Sequence, residues 1–367
     1  IRTVERVEVR WPDGRLTTLE HVATNPRLTL NQAEAKLDED QDQSAVNEMN
    51  PQGIFTNVRD TRGLEFRHRE SDFSDFDRDH LLLHMVSNEG PALAKGDVNQ
   101  DGKEDVYIGG ASGQAGALFV QQLDGTFVKS LQGAFEQDYR SEDQEALFFD
   151  ADGDGDLDLY ACSGSNEFNP ISGALFDRLY LNDGQGYFQK SPQILPYRSP
   201  ESSSSVAAAD YDQDGDLDLL VGVRMKAGVY GVPVSSFLLE NNGQGQFQSV
   251  TAEKAPDLQA IGMVTDVAWA DVDQDGDLDI ILVGDWMPVT TLENQGGAFS
   301  RKARGLDQSN GFWNTLEVAD LDQDGDRDLV LGNLGENTRL KASAQKPMEI
   351  WVNDFDGNHT AEQIISM

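Results

Sequence analysis

An all-β chain, folded as a β-propeller of about six or seven four-stranded blades and preceded by a small β segment, is predicted by three observations. An acidic nonapeptide recurs five times, each copy runs into a short apolar stretch, and a Gly-containing turn ending in an aromatic follows each of the first four. The copies read DVNQDGKED from Asp97, DADGDGDLD from Asp150, DYDQDGDLD from Asp210, DVDQDGDLD from Asp271 and DLDQDGDRD from Asp320. Their spacing is 53, 60, 61 and 49 residues, and a weaker copy, DFDGNHTAE, starts at Asp354.

The loop itself comes first. Oxygen-bearing side chains recur at positions 1, 3, 5 and 9, with Gly at position 6 in the five full copies. That spacing suits calcium, a hard cation that takes six to eight oxygens at about 2.3–2.6 Å. Glycine allows a turn sharp enough to aim the position 7 carbonyl at the same ion. An EF-hand would add a bidentate Glu at position 12 and flanking helices. Position 12 is instead Ile108, Ala161, Val221, Leu282 and Leu331, apolar each time. The EF-hand is excluded.

The strands follow. DVYIGG, LDLYACSG, LDLLVGV, LDIILVGDW and RDLVLGNLG leave the loops as short aliphatic runs ending near Gly, the pattern of buried strands. VAAAD and VAWAD enter two of the loops in the same way, so each loop joins two strands of a sheet. ALFVQQLDGTF, LYLNDGQGYF, FLLENNGQGQF and TTLENQGGAF then add a strand, a turn and an aromatic, at Phe127, Phe188, Phe247 and Phe299. Four strands per repeat is the anatomy of a propeller blade, and a lone blade cannot cover both of its faces. The repeated Phe is expected in the core between blades.

Loop and flanking strands together resemble the FG-GAP/VCBS repeat, the blade unit of integrin α-subunit propellers and many bacterial surface proteins. GPALAKGDVNQDGKEDVYIGG (Gly90–Gly110) matches that pattern most fully. The segment VERVEVRWPDGRLTTLEHVATNPRLTL (Val4–Leu30) is similar to the end of the ASPIC/UnbV domain, which accompanies such repeats in cartilage acidic protein and its bacterial relatives. Residues 1–50 are thus expected to be an ASPIC/UnbV-like β remnant with an acidic linker, and residues 51–367 a propeller that this segment need not complete. The resemblance implies side-chain calcium ligands at positions 1, 3, 5 and 9. These are Asp97, Asn99, Asp101 and Asp105; Asp150, Asp152, Asp154 and Asp158; and Asp210, Asp212, Asp214 and Asp218. Asp271, Asp273, Asp275 and Asp279 follow, then Asp320, Asp322, Asp324 and Asp328. It also implies a carbonyl ligand from position 7: Lys103, with its side chain turned to water, Asp156, Asp216, Asp277 and Asp326. In the sixth copy Asp354, Asp356, Asn358 and Glu362 hold the ligand positions. His359 replaces Gly at position 6, so it either holds a left-handed conformation at a cost or leaves a weaker site.

Composition agrees. The chain has 367 residues and a net charge of −37. The five full loops hold 24 acidic and 2 basic residues, a net −22 that leaves −15 elsewhere. Five divalent ions would still leave about −27, which repels nucleic acid and anionic membranes. The single cysteine, Cys162, permits no internal disulfide and reads as a small buried strand residue. No stretch approaches the ~18 apolar residues of a membrane span. The chain starts partway into a recognisable domain and stops soon after a loop, as a segment of a longer polypeptide would, so a missing signal peptide carries no information.

Catalytic signals are weak. His80 and His84 would share a face of a short helix, without an HExxH motif or third ligand. PESSSSVA (Pro200–Ala207) reads as an exposed linker entering a strand. The long insertions Ser163–Arg178 and Arg224–Ser236 are the natural partner loops on one rim. The expected function is a calcium-stabilised extracellular scaffold or recognition module, located outside the cell, on its surface or in the periplasm, and binding a protein or glycan. The alternative is a propeller-type polysaccharide lyase or another secreted carbohydrate-active enzyme, which a Tyr/His/Arg/Lys cluster in a deep central cleft would favour.

Overall fold

All six nonapeptides close a strand pair in the same register. In a computed structural model, the residue before each loop pairs with loop position 9: Gly96 with Asp105, Phe149 with Asp158, Ala209 with Asp218, Ala270 with Asp279, Ala319 with Asp328 and Asn353 with Glu362. Position 9 is therefore the first residue of the second strand. The structure describes residues 3–11, 15–23, 30–37, 59–195, 200–335, 337–338, 340–343, 345–358 and 361–366.

The chain divides into two units, Ile1–Val58 and Arg59–Met367. The first holds β1 (Thr3–Arg10), β2 (Arg15–Ala23) and β3 (Lys36–Leu37) as one antiparallel sheet. Trp11 anchors the turn between β1 and β2, its indole N–H donating to Thr17 Oγ1 at 2.8 Å. No residue of this sheet is buried among those described. The remainder of the WPDG turn, the acidic linker and the expected boundary at residues 50 and 51 lie outside the described residues.

The second unit carries the repeats. Strands β4 (Leu93–Gly96), β5 (Asp105–Ile108), β6 (Ala117–Gln121) and β7 (Phe127–Ser130) form the first four-stranded sheet, neighbours in chain order. The second is β8 (Asp143–Phe149), β9 (Asp158–Ser163), β10 (Arg178–Leu181) and β11 (Gln189–Lys190). The third is β12 (Ser202–Ala209), β13 (Asp218–Met225), β14 (Phe237–Glu240) and β15 (Gln248–Ser249). β16 (Met263–Ala270), β17 (Asp279–Met287), β18 (Thr290–Asn294) and β19 (Phe299–Lys302) repeat the pattern. The far end of β17 also pairs with β20 (Gly311–Ala319), which continues to β21 (Asp328–Asn333). A hairpin of β22 (Glu349–Asn353) and β23 (Glu362–Ser366) follows. Among the described residues no sheet closes on itself: four sheets have all four strands, and two hairpins follow.

Consecutive sheets share apolar cores. Leu118, Leu159 and Phe188 meet between the first and second, Phe149, Val221 and Leu239 between the second and third, and Leu220, Ile280 and Phe299 between the third and fourth. Val283 and Leu316 continue the series to β20. Each apolar face is removed from water by the next repeat, at about 25 cal/mol per Å² of apolar surface. Of the repeated aromatics, Phe188 and Phe299 are buried in these cores and Phe247 packs against one, while Phe127 is half-buried outside them. Cys162 lies buried in β9.

Two expectations fail here. PESSSSVA is no exposed linker, because Ser202–Ala209 is β12, with Ser202, Ser203 and Ser205 buried. Two of the hydroxyls meet β16: Ser204 donates to the Val264 carbonyl at 2.6 Å and Ser205 to Asp266 Oδ1 at 2.9 Å. His80 and His84 do not share a helix, since only a 3-10 turn, Asp75–Asp77, precedes them. His80 Nδ1 meets the Phe76 carbonyl, whereas His84 Nε2 meets Glu89 at 2.9 Å and Arg224 at 3.2 Å.

Candidate metal loops

Each loop is a compact turn that folds backbone amides onto its own carboxylates. The position 1 Asp takes the amide of position 6 in all five full loops, as Asp97 does from Gly102 at 2.7 Å and Asp271 from Gly276 at 3.0 Å. The position 5 Asp takes the amide of position 7, at 3.0–3.2 Å from Lys103, Asp156, Asp216, Asp277 and Asp326. Glycine at position 6 has φ of +84° to +101°. A second left-handed residue, at position 4, was not read from the sequence: Gln100, Gln213, Gln274 and Gln323 have φ of +57° to +64°, and Gly153 and Gly357 have φ of +75° and +76°. Glutamine there is explained in two loops by contact with the next one. Gln100 donates to the Gly155 carbonyl at 3.3 Å and Gln213 to Asp277 Oδ1 at 3.1 Å.

Positions 1, 3 and 9 converge. One oxygen from each of Asp150, Asp152 and Asp158 lies within 4.8 Å of the others, and so do those of Asp210, Asp212 and Asp218. The same holds for Asp271, Asp273 and Asp279, for Asp320, Asp322 and Asp328, and for Asp354, Asp356 and Glu362 in the sixth copy. His359 lies outside the described residues. The carboxylates of positions 5 and 7 stand apart from these clusters. In the first loop Asn99 takes the place of an acid, and Lys103 does not extend to water but pairs with Asp101 at 3.2 Å.

Position 9 is a buried hub in the first four loops and half-buried in the last two. Asp158 accepts the Ala151 amide at 2.9 Å and the Asn182 amide at 2.8 Å, tying the loop to the third strand. Asp105 and Asp279 do the same with Val98 and Gln121, and with Val272 and Asn294. Burial, opposed by those amides and reinforced by neighbouring acids, pushes Asp158 up to about 7, and Asp218 likewise to about 7. Burial and then Asp154 raise Asp156 to about 6. Buried oxygens of Asp152, Asp212, Asp218 and Asp320 have no hydrogen-bond partner. Several close like charges with unpaired buried oxygens, and no nitrogen or sulfur among the donors, fit a hard cation, whose charge would relieve both penalties.

The latches between repeats were also missed. Asn182, Asn241 and Asn294 each reach from the end of a third strand to the position 2 carbonyl of the preceding loop, Val98, Ala151 and Tyr211, at 2.7, 2.8 and 3.1 Å. Their second amide hydrogen goes to the position 8 carbonyl of their own loop. The signal was present in LYLND, FLLENN and TTLEN, where it reads simply as a turn residue.

The two long insertions prove largely internal. Asn166 donates to Asp75 and Asp79 and accepts from the Gly228 amide, binding both insertions to residues 75–79. Arg178 is buried against Asp143, and Arg224 against Asp285, which also accepts from Tyr230. Ile171, at 85% exposure, and Val232 are the large apolar side chains these insertions leave exposed.

Serial antiparallel sheets, their first two strands joined by closely similar acidic loops, define a class: a repeat protein whose turns gather oxygen donors that could hold metal ions. The particular family is shown by sequence. The FG-GAP-like repeat pattern matches residues 97–161, 150–221, 231–282 and 271–331, more than half of the chain, and the chain belongs to that family. The FG-GAP repeat also matches residues 203–246, and ASPIC and UnbV matches residues 1–37. No curated protein matches the chain. Similar solved structures include the Vibrio cholerae biofilm matrix protein Bap1, at 19% identity over 68% of this chain and 36% of that one, with a TM-score of 0.37. The Aleuria aurantia lectin AAL matches at 11% identity over 76% and 78%, TM-score 0.36. A Bifidobacterium bifidum protein assigned as an exo-beta-1,3-galactanase matches at 11% over 60% and 93%, TM-score 0.28. The chain spans about a third of Bap1, and at these scores none of the three bears on function.

Proposed function

We propose that this chain is a calcium-stabilised scaffold or recognition module working outside the cytoplasm, with its repeats set around an axis as a propeller of six or seven blades. The carrying observation is the convergence of positions 1, 3 and 9 at the same place in successive hairpins. The loops share one donor pattern, which favours a common structural role over a single reaction centre; each joins two strands of its own repeat. All-oxygen donors on a flexible turn suit Ca²⁺ over Mg²⁺, which demands stricter octahedral geometry. Loops of extracellular modules fill at about 10⁻⁴–10⁻³ M calcium, which supports a location at the surface, outside the cell or in the periplasm. Membership of the FG-GAP-like repeat family supports the same reading. The partner is a protein or glycan met by the exposed parts of the insertions, around Ile171 and Val232.

Calorimetric titration of the metal-free protein tests the proposal. Five or six calcium ions should bind, each raising thermal stability, while equimolar magnesium should not substitute. Absence of saturable calcium binding by folded metal-free protein would refute it.

A further inference from the structure

Four first strands carry a β-bulge at the same place. The register shifts between Asp143 and Glu145 in β8, Ser203 and Ser205 in β12, Val264 and Asp266 in β16, and Trp313 and Thr315 in β20. The residues left unpaired are Gln144, Ser204, Thr265 and Asn314, all polar and uncharged. Bulges re-aim side chains, and these four all line one cavity of about 360 Å³. That volume falls in the ~300–1,000 Å³ range of small-ligand sites.

Charge in the cavity is arranged unequally. Its arginine is committed: Arg224 is held by Glu89, Asp285 and His84. Asp266 is also saturated, accepting from Ser205 and the Val267 amide on one oxygen and from Thr315 and the Leu316 amide on the other. Glu145 is different. It accepts one hydrogen bond, from the amide of its neighbour Ala146, and its second oxygen has none among the described residues. Burial, and then the charge of Asp266, raise its pKa.

We infer that this cavity binds a small polyhydroxylated ligand carrying a protonated amine, with the ammonium on Glu145 and the hydroxyls on the amides of Gln144 and Asn314 and on the oxygens of Ser204 and Thr265, which give their own protons to the Val264 and Trp313 carbonyls and so act as acceptors. A charge-assisted hydrogen bond to Glu145 supplies orientation, and the neighbouring Asp266 raises the cavity's preference for a cation. None of the cavity-lining side chains belongs to a calcium loop, so the inference stands apart from the proposed metal binding.

The experiment is titration calorimetry in millimolar calcium with glucosamine, glucose and glucuronate, three probes of one ring size and different charge. Glucosamine should bind saturably at one site, with glucose weaker by roughly tenfold or more, the worth of one charge-assisted contact. Glu145→Gln should erase that difference at an unchanged melting temperature, because its amide oxygen still accepts from Ala146. Asn314→Phe, which fills the cavity without removing a charge, should abolish binding of every probe. No saturable glucosamine binding, glucuronate binding as well as glucosamine, or glucosamine affinity unmoved by both variants would overturn the inference.

Discussion

The loops starting at Asp97, Asp150 and Asp210 and the loop starting at Asp320 have nearly the same sequence but different surroundings. In the first three, position 2 is buried and its carbonyl receives an Asn side chain from the next repeat. The loop at Asp271 is intermediate, with Val272 half-buried and its carbonyl taking Arg304, in the turn after β19, at 3.1 Å. At Asp320 the position 2 residue, Leu321, is 63% exposed and no side chain donates to its carbonyl among the described residues. Asp328 holds the Leu321 amide and, among the described residues, no third-strand amide. A nonapeptide thus specifies the turn, while the following repeat determines how firmly the turn is fixed.

Removing calcium should have the largest effect. At 2 mM free ion and a dissociation constant of about 10⁻⁴ M, linkage gives about 2 kcal/mol per site, roughly 9 for five. Denaturant unfolding in calcium and in EGTA measures it; equal midpoints would show that the loops are no staples.

Asp158→Ala and Asp328→Ala sharpen the contrast. The first strands one buried and one half-buried amide at about 1–3 kcal/mol each, whereas the second leaves one exposed amide that water satisfies, costing under about 1 kcal/mol. Equal losses would mean that the surroundings are irrelevant. Asn241→Ala removes donors from two carbonyls, Ala151 and Leu217, and should cost about 1–2 kcal/mol in chemical denaturation, with the loss felt in both the second and third sheets. A loss confined to the third sheet would refute the latch.

The smallest effect concerns pH in metal-free protein. Asp158 and Asp218 near 7 and Asp156 near 6 lie above their ordinary values. The native state therefore binds the extra protons, so stability from these groups is present at low pH and lost as pH rises through 6–7. Unfolding midpoints in EGTA should fall between pH 5 and 8, and saturating calcium should remove or reverse that trend.

Much of this was legible in the sequence because the repeat advertises itself. Five aligned sets of oxygen side chains and the apolar runs after them predict strand-joining loops and their donor chemistry before any contact is known, but neither the register nor the convergence of positions 1, 3 and 9 without position 5. What stayed hidden depends on neighbours brought together only by folding. Asn241 looks like any turn residue until Ala151 of the previous repeat stands 2.8 Å away. Ser204 and Ser205 of β12 look solvent-exposed until β16 accepts their hydroxyl protons, and polar bulges cannot be distinguished from ordinary strand residues by period alone.

Hydrogen exchange followed residue by residue during a calcium titration tests the central claim most directly. The amides of Gly102, Gly155 and Gly215, in latched loops, should become protected at lower calcium than that of Gly325, with every loop protected at saturation. Protection that arises at one calcium concentration in all four loops, or that calcium leaves unchanged, would contradict the account.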